Sequence, residues 1–78
     1  MDAQLVSMIE EHRQWKALAE KGNVAAPFDL AGRFIQWSCD QLSADNQEHE
    51  EICLEAAGLS AGKQEDCWAA LRLLEKLW

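Results

Sequence analysis

The 78-residue chain carries 14 acidic and 7 basic side chains, for a formal charge of −7, and is 49% hydrophobic with four Trp. A chain of that length holds one domain and buries only about 60–65% of the surface its unfolded form exposes, yet this apolar content excludes disorder. The scarcity of Lys and Arg argues against direct nucleic-acid binding, which leans on neutralising phosphates, and two Val, three Ile and no Thr argue against a sheet.

The first helix is expected from Ala3 to Lys21, with Asp2 as N-cap and Gly22 ending it at positive φ. Its core face is Leu5, Met8, Ile9, His12, Trp15 and Ala19. Asn23 to Ala26 forms a connection, and Pro27 suits the first turn of the second helix, where its missing N–H costs nothing.

That second helix, Pro27 to Ser43, is the most continuously apolar stretch of the chain. At about 100° per residue, Phe28, Leu30, Ala31, Phe34, Ile35, Trp37, Cys39 and Leu42 cover roughly 220° of its surface. An ordinary surface helix carries a stripe little more than ~100° wide, so this one is central in the fold or shared with a second chain. Asp29, Arg33, Gln36 and Asp40 make a solvated strip opposite, the first two paired at i,i+4.

Ser43 to Asn46 breaks the chain, and Asp45 with Glu48 has the form of a capping box, placing the start of a third helix near Asn46 and its end at Gly58. Leu59 supplies the apolar contact beyond a glycine cap. Ser60 caps a fourth helix, Ala61 to Leu77, whose apolar set is Cys67, Trp68, Ala70, Leu71, Leu73, Leu74, Leu77 and Trp78. The expected fold is therefore all-α, a compact four-helix bundle or orthogonal helical array, with residues 1–78 as a single helical domain.

No 18-residue apolar run is present, and Met1 leads into a polar first turn without a basic-then-apolar leader. A cytoplasmic location with no membrane partner is the expectation. Cys39, Cys53 and Cys67 are odd in number and lack the paired spacing of a disulfide framework, which fits reduced thiols.

Chemistry-bearing patterns are few. His49 and Cys53, at i,i+4, could join Cys39, Cys67 or His12 around zinc, but strong zinc patterns place ligands two to four residues apart twice over. The run His49-Glu50-Glu51-Ile52-Cys53 has a metalloprotease outline with its second His replaced, and no third ligand or cleft-forming length accompanies it. Reading Asp40 to Glu51 as a calcium loop puts Leu42 and Ala44 at ligand positions. No thiol is marked as activated. No catalytic residue, enzyme activity, metal or cofactor is expected. The segment Ile52 to Leu74 has a helix-turn-helix outline, but its second helix would offer Gly62, Lys63, Gln64, Glu65 and Asp66 to DNA, two acids against one base.

Binding is the better-supported expectation. Between Asp40 and Gly62 no Lys or Arg appears, and Glu48, Glu51 and Glu55 form an acidic stripe, with Glu50 beside it and Asp40 and Asp45 preceding it, so that Asp45, Glu48, Glu51 and Glu55 suit a partner with a basic surface. The apolar faces of helices 2 and 4 look too wide for a lone monomer, which marks Leu30, Trp37, Trp68, Leu73 and Trp78 as hydrophobic contacts to a second copy or another protein. Trp15 and one other Trp fill the core, and Trp78 either docks back or stands out as an anchor. The chain thus reads as a small acidic interaction module, an adaptor or inhibitor of a larger basic, nucleic-acid-handling protein, in the style of phage and mobile-element regulators. A dimeric helix-turn-helix-like transcription regulator and a Cys/His zinc protein are the alternatives.

Overall fold

Asp2 begins the first helix where a cap residue should. In the computed structural model, which describes residues 2–22 and 25–78, its Oδ1 accepts from the backbone N–H groups of Gln4 at 2.8 Å and Leu5 at 3.4 Å, satisfying two donors that have no partner within the helix. Helix α1 then runs Ala3–Lys21 and buries Leu5, Met8, Ile9 and His12, one stripe at helical spacing. It ends at Gly22, whose φ of −177° is extended and open to any residue, so the expected positive-φ cap is not what stops the helix. Met1, and Asn23 and Val24 of the expected connection, lie outside the described residues. The Trp15 indole donates to the Ala25 carbonyl at 3.1 Å, tying the next segment back to α1.

Helix α2 spans Phe28–Ser43. Pro27 is its N-cap, one position earlier than expected, and its carbonyl accepts from Ala31 at 3.0 Å. The far end corrects the reading of Asp45 as a helix N-cap. Asp45 has φ 57°, its N–H bonds to the Leu42 carbonyl, and the Asn46 N–H reaches back to the Gln41 carbonyl. That pair of bonds is a Schellman termination of α2 with Asp in the left-handed position usually filled by Gly. Asp is among the few residues that tolerate it.

Helix α3 therefore starts four residues later than expected, at Glu50, and covers Glu50–Ala57. Asn46 Oδ1 accepts from the Glu48 N–H at 3.1 Å in a turn that bridges the two helices. Leu59 packs on the core just past Gly58, as expected. Ser60 does not cap a helix. Its hydroxyl accepts from Gly62 N–H within a turn, while its own N–H donates to the Asp66 carboxylate at 2.8 Å. Helix α4 follows as Gln64–Glu75, then tightens through i→i+3 bonds into a final turn that carries Leu77 and Trp78.

α2 touches each of the other helices, most extensively α3, while α1 lies against α2 and α4. Four helices and no strands are found among the described residues, an all-α helical array with a radius of gyration of 12.0 Å, against about 11.5 Å expected for a globule of this length. The core gathers Phe34, Ala31, Cys53, Ala56, Cys67, Ala70 and Leu74 at full burial, with Ser38 among them. Ser38 was not expected inside. Its hydroxyl donates to the Phe34 carbonyl at 2.9 Å, the local bond that makes a small polar residue tolerable there.

Candidate protein-binding surface

Helix α3 has one buried side and one open side. Cys53 and Ala56 are buried and Ile52 is half-buried on the first, and about 100° per residue places Glu50, Leu54, Glu51 and Glu55 together on the second. All four are exposed. Asp40, Asp45 and Glu48 precede them, also exposed. Among the described residues, Arg33 pairs with Glu11 and Asp29, and Lys16 pairs with Glu75. The His49 Nε2 atom lies 3.9 Å from Glu48 Oε1.

Leu54 sits in the middle of these acids and is 57% exposed. Sequence reasoning missed it by looking for surplus apolar surface only on helices 2 and 4. The signal was available: if Ile52, Cys53 and Ala56 face inward, helical geometry turns Leu54 outward.

The expected hydrophobic contacts fare differently. Leu30, Trp37 and Leu73 are 3%, 5% and 7% exposed and belong to the core, which corrects their assignment as partner-binding residues. The reason is that α2 and α4 each meet the three other helices, so their wide apolar faces are covered within one chain. The Trp37 ring stacks on Phe34 at 5.9 Å and its indole N–H donates to Asp2 Oδ2 at 2.9 Å. Trp68 is half-buried with its ring 5.5 Å from that of Trp15. Trp78 docks back onto α1 and stays 41% exposed.

Cys67 donates its thiol to the Ala61 carbonyl at 3.2 Å, and burial pushes both the Cys53 and Cys67 thiols above their ordinary range. His49 stands at the rim of a 230 Å³ recess that also includes Cys53, Trp37 and Leu77. His12 is engaged with Trp78. Among the described residues, no group of three or more His, Cys, Asp or Glu is arranged to hold a metal ion, and no helix is long and apolar enough to cross a membrane.

In the helix-turn-helix-like segment, α3 and α4 are joined by residues 58–63. Glu65 and Asp66 occupy the first turn of α4, Asp66 already bonded to Ser60. A groove of about 430 Å³ is lined from α1 and α2 by Gln4, Ser7, Met8, Gln36 and Asp40 among others. No protein-family model matches this chain, and neither does any curated protein or solved structure.

Proposed function

We propose that this chain is a protein–protein interaction module, an adaptor or inhibitor that seats the open face of α3 on a basic surface of a larger partner, of the kind that otherwise binds nucleic acid. The carrying observation is Leu54, exposed at the centre of Glu50, Glu51 and Glu55 with Glu48 nearby. An apolar centre inside a polar rim is the arrangement that gives an interface its energy.

Helix electrostatics alone does not account for the stripe. Acids are favoured at a helix N-terminus, which suits Glu50 and Glu51 but opposes Glu55 in the last turn of α3, where no base accompanies it. Gathered like charges also repel one another, a cost that a cationic partner removes on binding. The same field accelerates encounter with such a partner and is screened by salt.

Affinity capture from the source cells tests the reading. The native chain should retain basic proteins that salt releases. The Leu54→Ser and Glu50→Lys/Glu51→Lys/Glu55→Lys variants should each weaken retention at least about tenfold, or ~1.4 kcal/mol. Retention of the same proteins by the charge-reversed variant would sink the proposal.

A further inference from the structure

His12 lies on the buried side of α1, 2% exposed. Trp15 stacks against it at 5.9 Å and Trp78 meets it edge-on at 5.1 Å. Its Nδ1 accepts a hydrogen bond from Trp78 Nε1 at 3.1 Å. An indole N–H can only donate, so this bond requires a bare Nδ1, and hence a neutral imidazole carrying its proton on Nε2.

The surroundings of Trp78 are cationic. The Arg13 guanidinium and Lys16 ammonium stand 5.3 and 5.2 Å from its ring centroid. Lys16 also pairs with Glu75 of α4, and α2 meets α1 through Arg33 and Glu11. The charges acting on His12 are Glu75, which favours its protonation, and Lys16, which opposes it. Burial, reinforced by Lys16, outweighs Glu75 and holds the imidazole below its ordinary value.

We propose that Trp78 and His12 form a proton-operated latch: in acid a proton taken from solvent onto His12 Nδ1 turns the acceptor into a donor, frees the Trp78 indole from α1 and opens to solvent the side of His12 that it covered. The released Nε1–H then donates to water, so no buried donor is left behind. The opening is local because Trp78 lies beyond Glu75, the last α-helical residue, and is already 41% exposed, whereas Leu71, Leu73 and Leu74 are locked in the core.

The test is a titration of the 78-residue chain by NMR from about pH 8 down through the ordinary histidine range and on until the helices melt in acid. It follows the His12 ring, the indole N–H resonances and helix content together. Trp78 should lose protection from solvent exchange with the midpoint of His12. The Trp37 indole, held by Asp2, should stay protected, and helix content should be unchanged. The reciprocal variant Trp78→Phe removes the bond that favours the neutral ring and should move the His12 midpoint upward. The latch is refuted if Trp78 passes through the His12 transition unchanged, if His12 stays neutral until the helices melt, or if Trp78→Phe leaves the midpoint where it was.

Discussion

Asp2 ties two elements together with one carboxylate. Oδ1 closes the N-terminus of α1 and Oδ2 accepts the Trp37 indole proton from α2. The Asp2→Ala variant loses the cap, about 1 kcal/mol, and strands the indole donor, about another 1 kcal/mol. A fall of roughly 10 °C in the unfolding midpoint is expected by calorimetry. These bonds, the one from Trp37 foremost, hold the Asp2 carboxyl below the usual carboxylate range. Its contribution is therefore fully present above the ordinary carboxyl value and disappears as pH falls through the lowered one, so the native and variant stabilities should converge in acid. Half of this was legible in the sequence. An acid preceding a helically spaced apolar face reads as a cap, but the Trp37 bond joins residues 35 apart that no local pattern connects. Asp45 was misread for a related reason: the short polar side chains that favour an N-cap also tolerate the left-handed conformation, and the residue type alone does not separate the two.

Helix α2 was recognisable as central because a face of about 220° demands several neighbours, and it has three. What the width could not reveal was that those neighbours are all intramolecular, which is why Leu30 and Trp37, like Leu73 on α4, looked like binding residues and are core. Within this helix Gly32 stands out as a residue with no packing of its own. A Cβ built there would meet Ala61 Cβ at 3.5 Å, an ordinary contact with the 58–63 connection. Gly in a helix interior loses more chain entropy on folding than Ala. The Gly32→Ala variant should therefore gain about 0.5–1 kcal/mol, read as a higher urea midpoint with an unchanged slope. A loss instead would show that the approach of residue 61 to α2 is closer than van der Waals contact.

For the whole molecule, burying three of the five expected hydrophobic contacts changes what self-association has to offer. Among the described residues, the large apolar side chains that remain open, Leu18, Phe28, Leu54 and Trp78, belong to α1, the start of α2, α3 and the final turn. A stable homodimer needs about 800 Å² of contact from each subunit. Two copies would also each bring a charge of −7, an electrostatic penalty that grows as salt is removed. The acidic half of the surface was readable directly from the sequence because charge needs no packing to be seen, whereas its apolar centre became visible only once the inward side of α3 was fixed. Light scattering should give a mass near 8.8 kDa across a concentration series at low salt. A dimer that persists there would show contiguous apolar contact strong enough to overcome the repulsion. Dimerisation abolished by Leu54→Ser would assign the α3 face to a second copy of the chain instead of a basic partner.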